Sequence, residues 1–120
     1  MSKTAIAPAP VATDPCLMAD CAPIAEERLD AAGAERLAVA LKALADPARL
    51  RVISSIADTP DKNMCVRDLI DMLGLSQGTV SHHLKILVDA GFLTRTKRAT
   101  YSDYTLVPSA LDDLSRVLLT

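Results

Sequence analysis

A chain of 120 residues is one ordinary domain long, and with half its residues hydrophobic and 23% charged it is expected to fold as a soluble globule. Its aromatics are Phe92, Tyr101 and Tyr104 and it has no Trp, so the apolar content is mostly Ala, Leu, Val and Ile, which points to packed helices. No apolar run approaches the roughly 20 residues that span a bilayer, no charged start precedes an apolar block as in a secretory signal, and the net charge of −2 excludes a general nucleic-acid coat.

Three cysteines without an export signal are expected to be thiols in a reducing cytoplasm, not a disulfide framework. The charge is unevenly placed. Residues 1–75 carry 8 Lys/Arg against 11 Asp/Glu. Residues 76–101 carry Lys85, Arg95, Lys97 and Arg98 against Asp89 alone, and residues 102–120 carry Arg116 against Asp103, Asp112 and Asp113. One basic segment is enough for phosphate contacts, which depend on local charge.

Residues 1–25 hold four of the seven prolines (Pro8, Pro10, Pro15 and Pro23), many alanines and no sustained hydrophobic period. They read as an arm without structure of its own that carries Cys16 and Cys21. Residues 26–120 read as one folded domain. Its first helix is expected over residues 26–45, with Leu37, Leu41 and Leu44 at i, i+4, i+7 and with Gly33 bending or interrupting its start. Asp46-Pro47 is a helix boundary, because Asp at the cap accepts backbone N–H bonds and Pro is tolerated at the first helical position. The second helix then runs from Pro47 to about Ala57, with Leu50, Ile53 and Ile56 inward, and residues 58–63 form a polar loop.

A short helix follows over about Val66–Leu73, with Leu69, Ile70 and Leu73 on one face and Gly74 as the left-handed residue past its end. Ser76 caps a longer helix to about Ala90, with Val80, Leu84 and Leu87 inward and Gly91 as its stop. A short helix, a Gly turn and a Ser-capped second helix spell helix-turn-helix. Phe92-Leu93-Thr94-Arg95 and Tyr101-Ser102-Asp103-Tyr104-Thr105-Leu106 read as two strands joined by a basic tip at residues 96–100. Pro108 opens a last helix, with Leu111, Leu114, Val117 and Leu118 at helical spacing. The expected fold is mainly α, a winged helix-turn-helix with a two-stranded β wing. The first and last helices are both apolar beside a small core. They either pair across a two-fold axis as a homodimer or cover one another within the chain.

The second helix of the pair exposes Ser76, Gln77, Thr79, Ser81 and His82 along its first turns, side chains able to bond base edges or phosphates. Its N-terminus adds free N–H groups for phosphate. Lys85 and the wing residues Arg95, Lys97 and Arg98, with Tyr101 beside them, can contact backbone on either side. The ordinary alternative is a polar helix face beside a solvated basic loop, but a helix-turn-helix followed at once by a basic two-stranded wing is much less common by chance. His83 joins the DNA-facing set with His82, although adjacent helical residues face different ways, so that one of the two faces DNA and the other packs or caps. The partner implied is double-stranded operator DNA, read by two helices about 34 Å apart in a dimer.

Ala43-Leu44-Ala45-Asp46-Pro47-Ala48-Arg49-Leu50-Arg51-Val52-Ile53, Leu75-Ser76-Gln77, Val80-Ser81-His82-His83-Leu84-Lys85-Ile86-Leu87 and Ala90-Gly91-Phe92-Leu93, in that order, resemble the ArsR/SmtB winged-helix metal-sensing repressors. The resemblance covers about residues 34–119. It implies a homodimer joined through the N- and C-terminal helices, with helix-turn-helix units in successive major grooves and release from DNA when an inducer binds. The chain departs from the pattern at Gly78, where many relatives have Pro, so a flexible residue replaces a stiff one in the first turn of the reading helix.

Met64-Cys65-Val66-Arg67-Asp68-Leu69 resembles the Cys-Val-Cys-Asp-Leu motif of the arsenic-, cadmium- and lead-sensing members, with Arg67 where their second Cys stands. Helix starts favour the thiolate that binds soft ions. A lone Cys65 also suits a small buried residue, but Cys16 and Cys21 lie in an arm too Pro-rich to be core and can add two thiolates to it. Three thiolates suit the pyramidal As(III) or Sb(III), whereas Zn(II) usually takes four ligands. Cd(II), Pb(II) or Hg(II) can use the same set with water or a carboxylate such as Asp20. The other readings are incidental arm thiols, or a redox switch in which Cys16 and Cys21 form a disulfide. Whether the arm reaches its own Cys65 or the partner's is open; a cross-subunit set would act directly on the orientation of the halves.

The family's other metal site uses carboxylates and His on the C-terminal helix. Here that helix offers Asp112 and Asp113 without His and the chain stops at Thr120, which disfavours a zinc or nickel/cobalt sensor. A thiol enzyme such as an arsenate reductase needs a Gly-rich anion loop that the Cys65 neighbourhood lacks. The expectation is a non-enzymatic repressor without an organic cofactor, released from operator DNA by As(III) or Sb(III) at Cys16, Cys21 and Cys65.

Overall fold

The computed structural model describes residues 22–24 and 28–118. Helix α1 spans Ala31–Leu44. Residues 28–30 are not helical, which corrects the expected start near residue 26. Asp30 sets the boundary, since its backbone is extended and its carboxylate accepts the Gly33 N–H at 2.7 Å. Gly33 does not interrupt the helix but lies buried in its first turn. A Cβ there would stand 3.0 Å from Asp30 Oδ1 and 3.3 Å from Leu29 Cδ1, so glycine leaves room for the cap to close.

Helix α2 spans Pro47–Ala57, with the Asp46 carboxylate accepting from Ala48 N at 2.9 Å and Arg49 N at 3.2 Å. A three-residue strand that the sequence reading did not anticipate, β1 (Asn63–Cys65), leads into α3 (Val66–Leu73). Gly74 then closes α3 in the left-handed conformation, φ 68°, its N–H bonding Ile70 O at 3.0 Å. Helix α4 spans Gln77–Asp89, and Ser76 Oγ accepts the Thr79 N–H at 3.2 Å.

Strands β2 (Leu93–Arg98) and β3 (Tyr101–Leu106) form the hairpin, and α5 (Pro108–Leu118) completes the chain. The wing is longer than expected. Lys97 and Arg98 belong to β2, opposite Ser102 and Tyr101, and the turn narrows to Ala99 and Thr100. β1 joins the far edge of β3, giving an antiparallel sheet of order β1-β3-β2 with Asn63 opposite Thr105 and Cys65 opposite Asp103. An Asn63 Nδ2 to Thr105 Oγ1 bond of 2.8 Å and a Leu106 N to Lys62 O bond of 2.9 Å tie this edge.

The core gathers Val52, Ile56, Leu69, Val80, Leu84, Leu87, Phe92 and Val117, one or more from every helix except α1, which adds Leu37, Ala40 and Ala43. Three expected inward residues face outward instead: Leu41 is 39% exposed, Leu50 52% and Leu118 42%. Ala40, Ala43 and Val52 take the inward positions beside them, so the buried stripe is rotated from the leucines toward smaller side chains. Among the described residues no helix is long and apolar enough to cross a membrane.

Candidate nucleic-acid interface

The reading helix is positioned from both ends. Gly74 turns the chain and Ser76 starts α4 through its cap, while Val80, Leu84 and Leu87 anchor one face in the core. The opposite face is left to solvent: Gln77, Gly78, Thr79, Ser81, His82 and Lys85 are all exposed. Ser76 Oγ also donates to Thr79 Oγ1 at 2.9 Å, so these two hydroxyls are already partnered within the first turn. Thirteen residues of helix with polar side chains outward, and with first-turn N–H groups of which the cap takes up only that of Thr79, can enter a major groove.

The wing brings its cations alongside. Ser81, Lys85 and Asp89 of α4 line a groove of about 380 Å³ together with Arg95 and Tyr104 of the sheet, so three expected DNA-facing residues meet in one place. Lys85 Nζ lies 2.9 Å from Asp89 Oδ2, one turn along the helix, and is largely exposed. Arg95 donates through Nε to Ser102 Oγ at 3.0 Å, and Arg98 pairs with the buried carboxylate of Asp103. Lys97 has no ion-pair or hydrogen-bond partner among the described residues, and Tyr101 is 39% exposed at the end of the hairpin.

The two histidines have different surroundings. His82 is exposed, whereas the His83 side chain is only 13% exposed and lies against the start of α2. Its Nδ1 is 3.0 Å from Arg49 Nη1 and 3.9 Å from Asp46 Oδ2. Desolvation pulls the Asp46 carboxyl upward, but the Arg49 and Ala48 N–H bonds and the charge of Arg49 outweigh it and hold it below the ordinary carboxylate value. Arg49 is the residue that sequence reasoning passed over. It stood in the motif that carried the resemblance, but no local signal tells that its guanidinium reaches α4.

Cys65 ends β1 and caps α3, half-buried and without a side-chain cap bond. Its cross-strand neighbour is Asp103, the carboxylate that holds Arg98 of the wing. Among the described residues no three His, Cys, Asp or Glu side chains gather for a metal ion. Cys16, Cys21 and Asp20 lie outside the described residues. Asp113 on α5 is engaged by Arg116 at 3.2 Å.

Residues 46–95, from the α2 cap to the first half of the wing, match the bacterial regulatory protein model of the arsR family. Over 84 residues the chain is 34% identical to an uncharacterized HTH-type transcriptional regulator of Methanocaldococcus jannaschii, a stretch covering 70% of this chain and 92% of that one. This chain belongs to the ArsR family. It is similar also to the arsenical resistance operon repressor of Staphylococcus xylosus, 33% identical over 70% of this chain and 78% of that one. Among solved structures, the AntR antimony-specific transcriptional repressor superposes with a TM-score of 0.62 at 28% identity, covering 75% of this chain and 80% of that one. As an ArsR-family protein the chain is a DNA-binding transcriptional repressor and not an enzyme.

Proposed function

We propose that the protein is a homodimeric repressor whose operator complex dissociates when As(III) or Sb(III) binds Cys16, Cys21 and Cys65 as thiolates. The observation that carries this reading is the place of Cys65. It is a half-buried thiol at the first residue before α3, so an ion bound there touches the helix-turn-helix at its root. A lone sulfur holds a soft trivalent ion poorly, and the two arm cysteines make a set of three with no other core role. The Staphylococcus xylosus relative, named for arsenical resistance, and the antimony-specific repressor favour this ion class over a hard cation.

The dimer is favoured by what the fold leaves uncovered. Val39 and Leu41 of α1 and Leu118 of α5 are exposed apolar side chains on the two end helices, and Ile24, also exposed, sits at the end of α5 through its N–H bond to Val117 O at 2.7 Å. Pairing these helices across a two-fold axis buries them and sets the spacing of the two reading helices. DNA contacts fall to Ser76, Gln77, Thr79, Ser81, His82 and Lys85 on α4 and to Arg95, Lys97, Arg98 and Tyr101 on the wing. Ion binding then weakens operator binding by as much as the ion prefers the DNA-free arrangement.

The test is a release titration of the complex between the full chain and a duplex that it selects from a random pool, with As(III), Sb(III), Cd(II), Pb(II), Hg(II) and Zn(II) in turn. As(III) and Sb(III) are expected to dissociate the complex at the lowest concentrations. Cys65→Ser is expected to keep duplex affinity and lose that release. Unchanged release in Cys65→Ser, or release by Zn(II) in preference to the metalloids, would overturn the three-thiolate site.

A further inference from the structure

Arg49 sits where three helices meet. From α2 its Nε donates to Ala43 O at 2.6 Å and its Nη2 to Lys42 O at 3.2 Å, two carbonyls in the last turn of α1. Lys42 O also accepts the Ala45 N–H at 3.3 Å, and the guanidinium adds to that bond and takes up Ala43 O, so it caps α1 from outside. The third arm of the fork, Nη1, lies 3.0 Å from His83 Nδ1 on α4. A guanidinium has donors and no acceptor, so Nδ1 is the acceptor of this bond and the ring hydrogen is on Nε2. Asp46, whose carboxylate is bound to the first N–H groups of α2, holds the junction from the fourth side.

The junction supplies what apolar packing does not. Val80, Leu84 and Leu87 bury α4, but hydrophobic contact is non-directional and tolerates small rotations. The bond from a planar guanidinium to one ring nitrogen has a direction and fixes the roll of α4 about its axis. His83 inward leaves His82, the adjacent residue, outward, with ring centroids 6.2 Å apart. The same roll aims Gln77 and Ser81.

We propose that His83 is a positioning residue for DNA reading, tying α4 through Arg49 to the last turn of α1, so that the pose of α1 is passed to the reading helix. This rests on the assignment of α4 to the major groove and of α1 to the dimer. It takes His83 out of direct DNA contact and gives Arg49 a role in operator affinity without contact to DNA.

Two measurements on the full chain test it. Long-range 1H–15N spectra of the DNA-free protein are expected to show His83 in the Nε2–H tautomer, and Arg49→Lys is expected to shift its Nδ1 resonance while leaving that of His82 in place. In the second, affinity is measured for the duplex selected by the wild-type chain and for a scrambled duplex. His83→Ala is expected to lose about tenfold or more on the selected duplex, the scale of a bond to a charged group, and almost nothing on the scrambled one. His83→Asn, whose amide oxygen can stand near the place of Nδ1, is expected to regain most of the loss, and His83→Gln is not. An Nδ1–H tautomer in the wild type, or equal losses in the Asn, Gln and Ala variants, would overturn the positioning role. Failure of the wild type to prefer any duplex would instead remove the DNA-reading assignment, which the tautomer measurement does not depend on.

Discussion

Asp46 does two things with one carboxylate. It ends the α1–α2 corner by accepting the N–H groups of Ala48 and Arg49, and it stands 3.9 Å from His83 on the reading helix. Its charged form is therefore favoured in the folded chain, and its carboxyl lies below the ordinary value. A folded value lower than the unfolded one adds stability that is complete above the unfolded value and lost as pH falls through the folded one. Asp46→Asn is accordingly expected to flatten the acid side of the stability profile, in the region at and below the ordinary carboxylate value, with little change in shape near neutrality. Chemical denaturation across pH checks it, and an unaltered acid limb would show that the carboxylate charge does not matter. Asp46 as a cap was legible, because cap and capped N–H groups are neighbours in sequence. Its approach to His83 was not, because nothing within a few residues of either encodes it.

Elements carry the next set of expectations. In the first turn of α4, Gly78 is helical with open space around the position a Cβ would take. Glycine in a helix costs about 0.5–1 kcal/mol relative to alanine, so Gly78→Ala is expected to raise stability by about that amount in urea unfolding. A loss of stability would mean that the turn needs glycine for a reason other than space. Gly74 is the contrast. It also has open space, but φ is 68°, so alanine there is strained and expected to destabilise by about 1–2 kcal/mol. In the wing, Arg95 and Arg98 are oriented by Ser102 and Asp103, whereas Lys97 has no partner among the described residues. Lys97→Ala is expected to weaken binding to selected and scrambled duplexes alike and to reduce the salt slope by about one. An unchanged slope would take Lys97 off the phosphates. The helix-turn-helix was legible because Gly74 and Ser76 are local signals. β1 was not, since three residues of Asn, Met and Cys show no alternation and are a strand only because β3 offers an edge about forty residues away in sequence.

At the scale of the molecule, the inward face of each helix is decided by what packs on it. Leucines at helical spacing in α1 mark a helix, yet Leu41 is outward and the alanines Ala40 and Ala43 are inward. Small residues on the inner face leave larger ones for the surface, where a second subunit is expected to cover them. Val39→Glu on α1, 49% exposed in the single chain, is expected to leave the fold intact, shift the protein to monomers in sedimentation, and abolish tight binding to the selected duplex. A dimer of unchanged stability would move the interface off this face. The proposed metalloid site extends the same logic, since Cys65 alone would be an incomplete ligand set without the two arm cysteines.

By itself the sequence determined the order of helices, the turn between α3 and α4, the caps at Asp46 and Ser76, and a basic wing after the reading helix. Each of these is set by bonds between residues a few positions apart. Only the tertiary structure decided that β1 pairs with β3, that Leu41, Leu50 and Leu118 face outward, and that His83 turns in to Arg49 while His82 turns out. These depend on groups brought together by folding, Arg49 and His83 being 34 residues apart, and a local pattern holds no record of which distant side chain will stand opposite.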